Sequence, residues 1–453
     1  MRIDFLLEVF RMHLAQDAMI WRDRRFSYAW MVQATQHWMQ QLHEAAVTPG
    51  AVVSLEADFS PNAVALMLAL VEHGCIIVPL TATVEAKKPE YRQVAQVEVT
   101  LDVDKDDDVQ VRQTSVTATH EILLDLKQKG RPGLILFSSG STGKSKAAVH
   151  DFVPLLDKFR LPRRAFRTLT FLLFDHIGGV NTLLYTLANA GCVITVQERS
   201  PDKVCEAIEQ YQVQLLPTSP TFINLLLVSE AYTRHDLSSL QMVTYGTEVM
   251  PESTLRRFNT LFPHINLLQT YGLSEVGILR SKSKSSDSLW MKVGGEGFAT
   301  RVVDGMLEIQ AQSAMLGYLN APSPFTADGW FQTGDAVEVD GEYIRILGRK
   351  SELINVGGEK VYPAEVESVL QLMEGVADVM VSAEPSPITG HLVKAKVRLQ
   401  TGETVGEFRK RMWTFCRDKL PKYKIPQKVV LVTQEIHGER FKKMRHDRQE
   451  VNA

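Results

Sequence analysis

The sequence predicts an α/β protein. A large N-terminal unit of mostly parallel sheets with helices carries a small β-barrel-like subdomain, and a small α+β unit closes the chain. Three observations lead there. Short apolar runs alternate with helix-period segments over residues 1–80 and again over 169–269, the pattern of strand–helix units that cover a parallel sheet. From about residue 290 the runs shorten and read as strands at 300–303, 306–309, 336–339 and 343–346, a small antiparallel sheet or barrel. After residue 348 the texture changes again, to a helix at 364–370, strands at 376–381 and 393–399, and a helix at 405–420. The boundary therefore divides 1–348 from 349–453, as befits 453 residues, too many for one small core.

Taken in order, residues 1–8 place Asp4 and Glu8 among apolar residues, an amphipathic helix rather than a secretory leader. Residues 52–55 form a strand. Residues 63–70 are continuously apolar and then meet Glu72, His73 and Gly74. That stretch is too short to span a bilayer and reads as a buried helix stopped by glycine, followed by a strand at 75–80. Residues 100–114, with Asp102, Asp104, Asp106, Asp107 and Asp108, are expected to be an exposed connection. A strand at 134–137 runs into a glycine- and hydroxyl-rich stretch. Beyond it come strands at 169–174, 192–196, 214–217, 240–245 and 265–269 and helices at 180–190 and 204–211. Ligands collect at the carboxyl ends of such strands.

Composition narrows the function class. Hydrophobic residues make up 45% and charged residues 23%, with a net charge of −3, an ordinary globular balance with no electrostatic basis for binding nucleic acid or an anionic membrane. Cys75, Cys192, Cys205 and Cys416 are scattered, with no CxxC pair. Buried thiols in the cytoplasm are expected, and no zinc site.

The stretch Phe137-Ser138-Ser139-Gly140-Ser141-Thr142-Gly143-Lys144-Ser145-Lys146 suits a polyphosphate, because small residues let backbone N–H groups approach an oxyanion and hydroxyls and lysines add donors and charge. Two readings compete. Gly143-Lys144-Ser145 ends a Walker A loop, but Ser138 stands where its first glycine is required. Alternatively the stretch follows [ST]-S-G-[ST]-T-G-x-P-K-G, with Lys146 as the functional lysine and departures at Ser145 and Ala147. Four more strand-end or turn motifs follow: Tyr245-Gly246-Thr247-Glu248, Tyr271-Gly272-Leu273-Ser274-Glu275, Thr333-Gly334-Asp335, and a long run from Gly348-Arg349-Lys350-Ser351 through Gly357-Gly358 to Pro363 and Glu367. The last signal is Phe441-Lys442-Lys443-Met444-Arg445. Singly, only the long run is specific.

In this order the six signals resemble the adenylate-forming superfamily of acyl- and aryl-CoA synthetases, amino-acid adenylation domains and beetle luciferases. The resemblance implies roles. Ser138, Ser139, Gly140, Ser141, Thr142, Gly143 and Lys146 would cradle the phosphates of ATP. Gly246, Thr247 and Glu248 would pack on the adenine and form part of the acyl pocket. Tyr271 and Gly272 would lie by the adenine, Ser274 would contact phosphate, and Glu275 would hold Mg2+. Asp335 would take the ribose hydroxyls, and Arg349 ribose or phosphate. Lys350 or Ser351 would be the hinge of a mobile C-terminal unit, with Gly357 and Gly358 lining the path of a thiol. The catalytic lysine would be Lys442 by its spacing to Arg445, or Lys443 if Met444 is the anchor; Phe441 stands where the family has glycine.

In Phe174-Asp175-His176-Ile177-Gly178-Gly179 the resemblance makes His176 a pocket gate, with Ile177 and Gly178 beside the substrate. Ile177 falls where amino-acid adenylating relatives place an aspartate for the α-ammonium; a register shifted by two makes Asp175 that partner. The expected substrate is a small-molecule carboxylic acid without an α-amino group, with an aliphatic chain and an aryl ring both open. The acceptor is coenzyme A or the phosphopantetheine of a carrier protein acting in trans. The rival class is a degenerate nucleotide-binding relative that does not turn over.

Overall fold

The computed structural model describes residues 2–139, 145–438, 440–443 and 445. Two seven-stranded sheets build the large unit. One runs Asn266–Gln269, Met242–Tyr245, Leu215–Thr218, Arg167–Leu169, Cys192–Ile194, Asp17–Trp21, Arg24–Ser27. It is parallel up to its last pair, an antiparallel hairpin. The other runs Gly317–Tyr318, Ser145–Asp151, Gly133–Ser139, Ile76–Leu80, Val52–Glu56, Val99–Val103, Val109–Gln113. Its four central strands are parallel and both margins turn antiparallel.

Helices Pro61–His73 and Ile177–Ala188 share one apolar cluster with Met19 and Val193 of the first sheet and Val53 and Leu55 of the second. The core thus lies between the sheets. This explains why the 61–73 helix is apolar on every side: it is buried from Ala63 to Glu72 and has no solvent face to be amphipathic about. Ser60 caps its start, Pro61 occupies the first turn, and Gly74 at φ +88° ends it, a left-handed geometry that glycine adopts freely.

A six-stranded antiparallel sheet follows: Arg280–Ser283, Met291–Gly294, Tyr343–Arg349, Phe331–Asp340, Met306–Ala311, Phe298–Val303. The small C-terminal unit has its own apolar cluster, built on Ile354–Val356, Glu359–Val361, Gly390–Leu399, Val376–Ser386 and Lys428–Leu431 with helices Pro363–Leu370 and Val405–Cys416. Among the described residues no helix is long and apolar enough to cross a membrane.

Two expectations need correction on physical grounds. Residues 104–106, 108 and 110–114 are exposed as expected, but the stretch is a hairpin, Val99–Val103 on Val109–Gln113, rather than an irregular connection. Its acidic tip is structural: Asp104 accepts from the N–H groups of Asp106 and Asp108, and Asp107 accepts at 3.1 Å from Asn62 N–H at the start of the 61–73 helix. The apolar run 169–174 is mostly loop, since the strand is only Arg167–Leu169. Phe171 and Phe174 are nevertheless buried, so the run records burial of a loop over the core, which periodicity cannot tell from a strand.

Candidate active site

The candidate site is a cleft at the carboxyl ends of the parallel strands Leu215–Thr218, Met242–Tyr245 and Asn266–Gln269. From the end of Asn266–Gln269 the chain turns through Tyr271, whose hydroxyl donates to Asp335 Oδ2 at 2.5 Å. Asp335, 5% exposed, lies at the start of the pairing between Phe331–Asp340 and Tyr343–Arg349, opposite Arg349. The Arg349 guanidinium Nε is 3.2 Å from Asp335 Oδ1. Burial pushes the Asp335 carboxyl up, against the opposing guanidinium and phenol. Glu275, on the same turn as Tyr271, accepts from the Tyr318 hydroxyl at 2.8 Å. The Lys146 ammonium stands 5.2 Å over the Tyr318 ring, so a carboxylate and a lysine are held on opposite parts of one phenol. Ser274 presents its carbonyl to His150 at 2.5 Å.

The glycines at these turns are required by close approach. A Cβ on Gly246 would stand 2.8 Å from Thr270 O and Oγ1, and one on Gly272 2.4 Å from Ile278 Cδ1. Thr247 takes φ +71°. Ser138 pairs with Lys146 across the ladder between Gly133–Ser139 and Ser145–Asp151. Ser139 ends the first of these strands, while Gly140, Ser141, Thr142, Gly143 and Lys144 lie outside the described residues. Ser145, standing where the motif has proline, has its hydroxyl 2.8 Å from that of Tyr91. The Asn320 side chain bonds both Ser145 O and Ala147 N–H.

The C-terminal segment reaches into this cleft. Desolvation lowers the Lys442 ammonium to about 8, with Arg349 and Arg440 pushing the same way and Glu248 and Glu275 opposing. Lys443 turns the other way: its ammonium is 2.9 Å from Glu367, with side-chain exposures of 6% and 2%. Its backbone N–H donates to Glu248 Oε1 at 2.6 Å, and Glu248 Oε2 accepts from Thr221 at 2.5 Å. Adjacent lysines therefore serve different places, Lys442 the cleft and Lys443 the small unit. Lys350 and Ser351 lie in an exposed 3-10 turn directly after Arg349. Gly357 and Gly358 form an exposed turn bonded to Thr389 O and Asn355 Oδ1.

His176 caps the helix Ile177–Ala188 by accepting from Gly178 N–H at 3.0 Å through Nδ1, which leaves its proton on Nε2. Burial, then Lys442 and Arg440, hold its pKa well below the ordinary value. Ile177 is packed in the large core. A Cβ on Gly179 would meet Leu173 O at 1.8 Å, so that position has no room for a side chain, whereas one on Gly178 would meet only the movable tip of Leu172 at 2.7 Å. Asp175 Oδ2 accepts from Thr81 at 3.1 Å and from Arg440 at 2.6 Å. Sequence reasoning missed Tyr318, Asn320, His150 and Arg440: each meets its partner more than 40 residues away, and no local pattern marks such pairs.

The family model "AMP-binding enzyme" matches residues 8–304, and "AMP-binding enzyme C-terminal domain" matches residues 365–442. The chain belongs to the AMP-binding enzyme family. Among similar curated proteins, the indoleacetate–CoA ligase of Aromatoleum aromaticum is 27% identical over 466 residues, covering 90% of each chain. The long-chain-fatty-acid–CoA ligase FadD13 of Mycobacterium tuberculosis is 27% identical over 331 residues, which cover 65% of this chain and 63% of that one. Among solved structures, the anthranilate CoA ligase AuaEII in complex with anthranoyl-AMP superposes with a TM-score of 0.82 at 19% identity, over 98% of this chain and 95% of that one. That likeness shows a shared fold over nearly the whole chain.

Proposed function

We propose that this AMP-binding enzyme joins a carboxylic acid without an α-amino group to coenzyme A through an acyl-adenylate. The observation that carries the reading is the segment bearing Lys442, brought from the far end of the chain to the strand ends, where the N–H of the next residue, Lys443, donates to Glu248 Oε1 at 2.6 Å and the charges of Glu275 and Arg349 act on the Lys442 ammonium. The named relatives, acid–CoA ligases, support it. A carboxylate oxygen attacks the α-phosphorus of ATP, the bond to the β-phosphate bridging oxygen breaks, and pyrophosphate leaves. The thiol sulfur then attacks the acyl carbon, the bond to the adenylate oxygen breaks, AMP leaves with that electron pair, and the thiol proton passes to solvent. Such chemistry needs positioning and charge stabilisation rather than covalent help from the protein.

Ser138, Ser139, Gly140 to Gly143 and Lys146 hold the phosphates in this reading, Asp335 and Arg349 the ribose, and Tyr271 with Gly246 and Thr247 the adenine. Lys442 orients the attacking carboxylate. Among the described residues no group of three or more metal-ligating side chains exists. Glu275 is a single carboxylate, which fits Mg2+, an ion bound through one or two protein carboxylates plus substrate phosphates; when bound it neutralises phosphate charge. Residues 349–453 act as the mobile unit, hinged at Lys350 and Ser351, and bring Gly357 and Gly358 to the thiol in the second step. An α-ammonium would need an available carboxylate, and Asp175 is already matched by Arg440. A carrier-protein phosphopantetheine presents the same thiol arm and is the alternative acceptor. The four free buried cysteines suit a cytoplasmic setting.

ATP–pyrophosphate exchange tests this, with indole-3-acetate, anthranilate, benzoate, decanoate, palmitate and a set of amino acids. Exchange with one class of non-amino acid is expected. ATP binding without exchange for any acid would replace the ligase by a degenerate binder. A pH profile follows from Lys442. Its ammonium is the working form, so kcat/KM for exchange, which reports the free enzyme, falls as pH rises through about 8. The residual activity of Lys442→Arg lacks that alkaline limb, since guanidinium does not titrate there. A limb unchanged in Lys442→Arg contradicts the assignment.

A further inference from the structure

The loop that carries Lys442 is fastened to the large unit by groups that the chemistry above does not use. Arg440 Nη2 is 2.6 Å from Asp175 Oδ2, across 265 positions of sequence. Asp175 is 5% exposed, and Thr81 donates to the same oxygen. Asp175 immediately precedes His176, and Arg440 stands two residues before Lys442. The ion pair therefore ties the turn bearing the gate residue to the loop bearing the lysine.

Phe441 fastens the same loop by apolar contact. Its ring centroid lies 5.0 Å from Phe171 and 5.5 Å, edge-on, from Phe222, and His437 stacks on it at 5.2 Å. The Arg199 guanidinium lies 5.4 Å over it. Ser219 donates to its carbonyl at 2.8 Å. Its backbone takes φ +50°, a left-handed conformation uncommon for a bulky residue. Backbone strain of this kind persists only where the surroundings over-determine it, and here an aromatic nest does so.

We propose that Asp175 and Arg440 are a positioning pair for the adenylation step, with Phe441 as its apolar anchor, and that the pair parts before the thiol step. The inference rests on the two-step reading above. Contacts made in only one position of a moving unit shift its population toward that position. Arg440 and Asp175 touch in this arrangement of the loop, so the pair favours the first step and opposes departure of the loop. Neither residue contacts the reacting atoms; each acts through the placement of Lys442.

The test uses the full chain with the three single and double variants Asp175→Asn, Arg440→Gln and Asp175→Asn/Arg440→Gln. Three quantities are read: ATP–pyrophosphate exchange with the best acid of the panel, CoA thioester formation from the chemically synthesised adenylate of that acid, and hydrogen exchange of the 437–443 segment. Each single variant is expected to lose about tenfold in exchange, and the double no more than the worse single, because both remove one interaction. Thioester formation stays equal or rises, and the segment loses protection. Phe441→Gly gives the same split without touching a charge. Unchanged exchange, equal losses in both half-reactions, or additive losses in the double would overturn the pair. If wild type supports no exchange with any acid, the functional reading fails separately; hydrogen exchange then decides the pair alone, and equal protection in wild type and variants overturns it.

Discussion

Lys442→Ala lowers ATP–pyrophosphate exchange by about 10²–10³, the usual loss when one charge-stabilising donor is removed from an active site. Lys442 is a cation of the C-terminal segment, and its charge is acted on by Glu248, Arg349, Arg440 and Glu275. In the variant no ammonium is present as the α-phosphorus gains a fifth oxygen, so the fall lies mainly in kcat. Thioester formation from a supplied adenylate persists, because the lysine serves only the first step. Lys443→Ala is the control. That ammonium is in an ion pair with Glu367, so the variant loses stability first, and the backbone bond from residue 443 to Glu248 remains available. Exchange lost in Lys443→Ala and kept in Lys442→Ala would reverse the assignment.

Glu367→Gln is the most destabilising substitution expected in the small unit. The carboxylate is 2% exposed at its side chain and is held by Lys443 and Arg445, both at 2.9 Å, and by the Val381 N–H at 2.8 Å. Arg445 also reaches Glu352 at 3.0 Å. Breaking a buried pair from one side leaves uncompensated charge and costs about 3–5 kcal/mol. Burial would push the Glu367 carboxyl up, but Arg445 and Lys443 hold it below its ordinary value. A depressed native pKa contributes stability that is full above the unfolded value and is lost as pH falls through the native one. Denaturant melts of the small unit should therefore show wild type weakening on acidification. Glu367→Gln should be weak at neutral pH and lack this part of the acid dependence. A variant as stable as wild type at pH 7 would remove the triad from the account.

What was legible follows a physical division. Strand ends, glycine turns and the long motif after Gly348 are local, and local chemistry is written in consecutive residues. Tyr271, Asp335 and Arg349 were singled out from such stretches, and the structure brings Tyr271 and Arg349 each within hydrogen-bonding distance of Asp335. Long-range partners were not legible. Tyr318 meets Glu275 and Asp175 meets Arg440 only through the packing of separate elements. The choice between Lys442 and Lys443 was open because spacing to Arg445 and the apolar neighbour Met444 point to different registers, and only side-chain direction separates adjacent residues. Five carboxylates in the seven residues 102–108 suggest a surface, and Asp104, Asp106 and Asp108 are exposed, but the pattern does not show that the stretch is the tip of a hairpin. Backbone N–H donors within the tip and at the start of the 61–73 helix account for two of the carboxylates.

The most direct test of an acyl-adenylate pathway follows an atom. A substrate acid labelled with 18O in its carboxylate is turned over with ATP, Mg2+ and coenzyme A, and the nucleotide product is analysed by mass spectrometry. Attack of the carboxylate on the α-phosphorus predicts AMP carrying one 18O, with unlabelled pyrophosphate. Unlabelled AMP, or ADP with 18O in inorganic phosphate, would contradict it.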